Sequence, residues 1–280
     1  LVQRKELVNI LLLLLALFVT SGSCNSCHGV YFKEKYFNID IIKEGVNNVQ
    51  EFVFNRNENI IYFTFEQLTE VPIFVLGYLK VDTKEIGIID GVRNSTGLAI
   101  DQGLNRLYIG GSDGLFMINN NRKVKVPEKL PPTDHIISLF VKDGIIYYIN
   151  KDKKAFKFDG VVSPVYELQG VAVNKLVLDD DNNIIFLQGN KLYRVKIGTR
   201  IINAHEKYVV SDITTDPNSK PYACAKDGLY VYNKYKYVLD KVGELRDIDK
   251  LTFLTADEPV YVIRDKIVRL QYNPIPCFGD

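Results

Sequence analysis

The feature that most constrains this chain is a repeat. Six short segments recur along it: NIIYFTF from Asn59, NRLYIGG from Asn105, GIIYYIN from Gly144, NIIFLQG from Asn183, KPYACAK from Lys220 and EPVYVIR from Glu258. Each sets an aromatic at a matching point, at Tyr62, Tyr108, Tyr147, Phe186, Tyr222 and Tyr261, with gaps of 46, 39, 39, 36 and 39 residues. An apolar stretch and a polar turn precede each segment, as in KLVL then DDDNN, or DITT then DPNSK. Asn, Asp and Gly suit such turns because they bond to nearby backbone or accept left-handed angles. A third strand follows, often after DG, GN or RD, which read as tight hairpins. A fourth, more polar strand is predicted in most units, such as KEIGII from Lys84 and KYKYVL from Lys234.

Apolar residues at every second place give each strand a buried face. A period near 40 with no long helical stripe is the size of one four-stranded propeller unit. The expected fold is therefore all-β, a six-bladed β-propeller. The sixth unit ends at its third strand, KIVRL, so YFNIDIIKE from Tyr36 is expected to supply the missing outer strand. An N-terminal strand completing the last blade closes the ring.

The two ends carry further expectations. Residues 1–23 set Arg4 and Lys5 before an apolar run from Leu7 to Val19, then Ser21-Gly22-Ser23, the order of a signal peptide. That divides the chain into a leader, 1–23, and one propeller domain, 24–280, secreted into an oxidising compartment. CNSCHG then begins at Cys24, with the spacing of a c-type haem site. The sole methionine, Met117, falls in a predicted strand, and Cys277 waits at the other end, so the reading is a disulfide staple and no covalent cofactor. The even count of Cys24, Cys27, Cys224 and Cys277 favours disulfides, and three complete pairings are open. Cys224, in a predicted central strand, also reads as a buried thiol. Asn94-Ser95-Thr96 is an N-glycosylation acceptor. With 35 basic and 34 acidic residues, net charge +1, the chain lacks a nucleic-acid footprint. No membrane association is expected after leader cleavage, and a monomer is expected.

Two function classes follow from the residues. Polar side chains gather where the innermost strands begin: Gln50, Glu51, Thr96, Asp134, His135, Asn174, Ser211, Asp212, Asp247 and Asp249. Hard oxygen ligands converging from several blades would hold calcium, with Glu51, Asn174, Asp212 and Asp249 as the set. With His135 as base, that describes a calcium-dependent hydrolase of lactones or esters. No GxSxG, HExxH or phosphate loop is present; GSDG at Gly111 reads as a hairpin turn. The other class is a binder. Seventeen tyrosines and 15 phenylalanines supply flat apolar surface, mostly for the core. Tyr31, Phe32, Tyr232, Tyr235 and Tyr237 fall in the outer or least regular regions and are expected to be exposed.

The start SCNSCHGVYFKEKYFNIDII, blades in the style of NIIYFTF and GLFMIN, and the terminal YNPIPCFGD resemble the ommochrome-binding proteins of moths. The resemblance spans 24–280. It implies a haemolymph protein that captures and transports a planar, ommatin-like pigment without catalysis. It transfers no ligand contact to a numbered position. The candidates for the ligand are Arg93 and Arg246, to meet a carboxylate, together with Tyr232 and His135. Calcium enters only under the hydrolase reading.

Overall fold

The computed structural model describes residues 29–205 and 207–275. Their innermost strands are Glu51–Asn55, Gly97–Asp101, Ile136–Lys142, Lys175–Leu178, Val210–Thr215 and Lys250–Thr255. Each touches the next and the last touches the first, so six sheets stand in a closed ring. The protein is an all-β, six-bladed β-propeller, and antiparallel pairing runs outward through each blade.

Local chemistry sets the inner hairpins. The residue at or just after the end of an innermost strand turns its side chain onto backbone N–H groups ahead of it. Asn55 Oδ1 accepts from Asn57 N at 2.9 Å, and Asp101 Oδ1 from Leu104 N at 2.9 Å. Asp179 Oδ1 accepts from Asn183 N, and Asp216 Oδ1 from Asn218 N, each at 2.8 Å. The left-handed residues these turns need are Asn59, Asn105, Asn182 and Ser219, at φ 55°, 50°, 62° and 58°. Gly111 pairs with Gly114, so GSDG is a hairpin, as expected.

Six apolar clusters form among the described residues, one between each pair of neighbouring blades. Burying one such side chain stabilises by about 1.5–3 kcal/mol, so the blades hold each other through their faces. The repeated aromatics belong to these clusters, with one correction. In the third blade the fully buried ring is Tyr148, and Tyr147 is half-buried. The inner strand of that blade bulges between Ile136 and Ser138. A segment with two adjacent tyrosines does not show from its pattern which one the register turns inward.

The ring closes as expected. Lys35–Lys43 runs antiparallel to Lys266–Tyr272, with Ile39 opposite Leu270 and Asp40 opposite Arg269. Arg269 donates to Asp40 at 2.7 Å. One further strand was not expected. Gly29–Phe32 forms a hairpin with the closing strand through Lys33 and Glu34, at φ 48° and 63°. Phe32 also pairs with Gly243, at the outer edge of the fifth blade. Blades five and six are thereby joined into one nine-stranded sheet.

Other expectations are corrected. The outer strand of blade five is Val238–Gly243 rather than KYKYVL from Lys234, because Asn233 Oδ1 binds the N–H groups of Tyr235 and Lys236 and makes that stretch a turn. Phe32 and Tyr232 are buried, whereas Tyr31, Tyr235 and Tyr237 are exposed. Cys224 is a free, buried thiol, as the second of its two readings expected, and takes part in no disulfide; burial pushes the thiol well up from its ordinary value. The Asn94 sequon is partly built into the fold, with Asn94 Oδ1 accepting from Phe74 N at 3.1 Å and Ser95 fully buried, and nothing in the structure supports the expected glycosylation. Cys24, Cys27, Cys277 and the leader over 1–23 lie outside the described residues, so no structural support for a disulfide or a signal peptide stands. Among the described residues no helix is long and apolar enough to cross a membrane.

Candidate functional site

The innermost strands enclose a cavity of about 210 Å³. Its lining mixes apolar and polar groups, with Phe52, Phe54, Leu98, Leu139, Val177 and Ile213 beside Glu51, Lys175, Thr214 and Thr252. Arg56, Gln102, Lys142 and Asp216 stand at the end where these strands finish. Gln102 ties that end together, donating to Phe54 O at 2.6 Å and accepting from Arg56 N at 3.0 Å.

The end where the strands begin holds a charged cluster. Lys175 Nζ lies 2.8 Å from Glu51 Oε2 and 2.8 Å from Asp212 Oδ1. Ser138 Oγ donates to the second oxygen of Glu51 at 2.9 Å. Leu251 N meets the second oxygen of Asp212 at 3.4 Å, and Lys250 Nζ stands 3.9 Å from the first. Burial alone would push the Lys175 ammonium down. The carboxylates of Asp212 and Glu51 outweigh that and hold it above the ordinary lysine value. Its four charged groups come from four blades and balance, two acids against two lysines, and Ser138 adds a fifth blade.

Of the four residues expected to bind calcium, this cluster brings together Glu51 and Asp212. Asn174 Oδ1 accepts from Gly189 N at 2.7 Å, and Asp249 Oδ2 from Arg264 N at 2.9 Å, so both serve turns. Among the described residues no group of three or more His, Cys, Asp or Glu is placed to hold a metal ion. Among the remaining polar strand starts, Thr96 and Ser211 lace neighbouring blades together. Thr96 Oγ1 donates to Ile136 O at 2.6 Å, and Ser211 Oγ to Ile248 O at 2.7 Å. Asp134 accepts from Tyr148 OH at 2.8 Å. His135 lies beside this lacing, its carbonyl accepting from Lys151 N, and does not line the axial cavity.

The four ligand candidates do not share a site. Arg93 is exposed, and its carbonyl accepts from Ser112 N at 3.0 Å. Arg246 is exposed, in a groove with Tyr208 and Tyr230. Tyr232 lies in a cleft of about 550 Å³ between blades four and five. That cleft also contains Tyr237, one of the tyrosines expected to be exposed, and three residues not expected at a ligand site, Arg194, Lys196 and His205. Arg194 is 7% exposed, and its guanidinium carbon stands 5.1 Å from the centre of the Tyr237 ring. His205 meets Tyr232 edge to face at 5.7 Å. Arg194 Nε, His205 Nε2 and Tyr232 OH are buried with no hydrogen-bond partner. Burial pushes the Tyr232 phenol up to about 12. A signal for Arg194 existed in KLYRVK: alternation puts it on the face of Leu192, which packs towards blade five.

Burial pushes His205 below its ordinary 6.5, and the charges of Arg194 and Lys207 add to the effect. The unfolded chain then binds a proton more readily than the folded one. Stability present above pH 6.5 is expected to fall as pH drops through 6.5 towards the lowered folded value. Urea midpoints measured between pH 5 and 8 should show this slope in the wild type and a flatter one in His205→Gln.

No family model matches the chain. It is 21% identical over 241 residues to an ommochrome-binding protein of Manduca sexta, an alignment covering 84% of this chain and 88% of that protein. Among solved structures it superposes on a gluconolactonase from Xanthomonas campestris at TM-score 0.65 and 10% identity, over 89% of this chain and 96% of the other. It also superposes on regucalcin, a calcium-binding protein from Agrobacterium tumefaciens, at TM-score 0.62 and 11% identity, over 86% and 98%. The fold is thus one shared with a lactonase and a calcium-binding protein. These findings correct the expectation of a protein without catalysis, because this architecture, nearly end to end, houses an enzyme.

Regucalcin binds calcium, which raises that ion for this fold. The residues here do not fit it. The cationic position between Glu51 and Asp212 is filled by Lys175 Nζ at 2.8 Å from both, and Asn174 and Asp249 are committed to backbone N–H groups.

Proposed function

We propose that this chain binds a small, planar aromatic anion of the ommochrome type. The observation that carries the reading is the match to the Manduca sexta protein, which runs through 84% of this chain and 88% of that one. The chemistry available agrees with it. Tyrosine rings beside the buried Arg194 suit a fused-ring carboxylate better than a sugar or a metal ion. Titration of an ommatin into the protein is expected to shift the pigment's visible band with saturation at one equivalent. EGTA should leave the titration unchanged, because no calcium is needed for stacking or charge pairing. An ommatin spectrum unaffected by excess protein would end this reading.

A second reading has a specific observation behind it, the fold shared with a gluconolactonase over 89% of the chain. It places hydrolysis of a lactone or ester in the axial cavity, beside Lys175, Glu51 and Asp212. Because Lys175 fills the cationic position, turnover of lactones or aryl esters is expected to survive EGTA. A rate that disappears with EGTA and returns with calcium would refute that placement of charge.

A further inference from the structure

The axial cavity is small and internally satisfied, since each charged group of its cluster has a partner. The cleft between blades four and five is the opposite on both counts. It offers about 550 Å³, and three buried polar atoms there, on Arg194, His205 and Tyr232, are unpartnered. Buried polar groups are normally paired, because an unmade hydrogen bond costs free energy. Three such atoms on one cleft therefore describe a surface that is complete only when something binds to it. Among the described residues Arg194 also makes no ion pair, although it is 7% exposed. A buried guanidinium without a counter-ion is costly unless an anion arrives.

The lining defines what would arrive. It includes two cations, Arg194 and Lys196, and no acidic residue. Tyr232, Tyr237 and His205 provide ring faces and edges. Tyr237 is 58% exposed, so its outer face is free while Arg194 sits by the ring. A flat ring can stack between such groups, its carboxylate meeting Arg194 and Lys196. Tyr232 OH would donate to a ring oxygen or nitrogen. We infer that the cleft between blades four and five, built on Arg194, Tyr232, Tyr237 and His205, is a binding site for a planar aromatic carboxylate. The inference rests on the proposed reading for the pigment's identity, and on the cleft alone for the site and ligand class.

Isothermal titration of the full chain with kynurenate (4-hydroxyquinoline-2-carboxylate) and separately with xanthommatin tests it. Both are expected to bind the wild type. Arg194→Met should weaken both at least tenfold, and Tyr237→Ala several-fold, whereas the surface control Arg122→Met should change neither. Arg194→Met should also unfold no earlier than the wild type, because it removes an unpaired buried charge; a structural arginine would show the reverse. Should that variant misfold, the exposed Tyr237→Ala still reads the cleft. Kynurenate that fails to bind the wild type, or binds Arg194→Met and Tyr237→Ala as tightly, overturns the inference. Kynurenate held through Arg194 with no uptake of xanthommatin leaves the cleft standing and removes the pigment. Xanthommatin bound equally by wild type and Arg194→Met does the reverse.

Discussion

A chain that starts at residue 45 is expected not to form a cooperative monomer. The strand Lys35–Lys43 would be missing, and with it the pairing along Lys266–Tyr272. Phe37 and Ile42 are 1% and 4% exposed, in the clusters on the two sides of blade six. Removing one such side chain costs roughly 2–5 kcal/mol, and removing both with their backbone pairing is comparable with the roughly 5–15 kcal/mol that holds a domain folded. The loss is also topological. Blade six would present an open edge at Ile267, Val268 and Leu270, and the bridge from Gly29–Phe32 to blade five would go with it. An open apolar edge invites pairing with another chain. Size-exclusion and thermal melting should report aggregates without a sharp transition. A soluble monomer with a melting temperature near the wild type's would show that the closing strand is dispensable. Phe37→Ala in the intact chain is the graded version, expected to lower stability by about 3–5 kcal/mol.

The closing strand was legible in the sequence because the sixth repeat lacks an outer strand and YFNIDIIKE has nowhere else to pair. Its partner Gly29–Phe32 was not, because that strand pairs with Gly243 across a blade boundary that no repeat announces. The inner hairpins were legible for a local reason: Asp101, Asp179 and Asp216 bond to backbone N–H groups within four residues. The site was less so. The starts of Glu51–Asn55 and Val210–Thr215 were correctly read as acids near the axis, but the partner of Glu51 lies 124 residues away in sequence. Lys175 looked like an ordinary first residue of KLVL. Reading carboxylates without the cation between them suggested a metal ion where the chain supplies its own ammonium. Tyr232 was singled out for a ligand but expected to be exposed. Its burial is what leaves its hydroxyl without water and makes the cleft's unmet bonds visible.

Lys175→Met is expected to destabilise the protein by roughly 3–5 kcal/mol, the size found when one partner of a buried ion pair is removed. The lysine side chain is 15% exposed, that of Glu51 6% and that of Asp212 2%. Deleting the ammonium leaves two buried carboxylates with one more distant lysine, Lys250 at 3.9 Å from Asp212. Met fills nearly the same volume, so a void is not the cause of the loss. The remaining terms are like-charge repulsion and uncompensated desolvation. The triple change Glu51→Gln, Lys175→Met, Asp212→Asn removes those charges together and should recover most of the loss, since neutral amides can still take the bonds from Ser138 and Leu251. Such strong coupling is expected of groups within one hydrogen-bonded network. The pH dependence has a fixed sign. Lys175 is raised above its ordinary 10.5 in the folded state. Its contribution is therefore fully present below pH 10.5 and declines as pH climbs through the raised folded value. Urea midpoints of the wild type and Lys175→Met should differ by a constant amount from pH 7 to 10 and draw together only above that. A Lys175→Met variant within about 1 kcal/mol of the wild type at pH 7, the range of an exposed pair, would mean that water reaches the carboxylates and that the axis is open where the cluster now closes it.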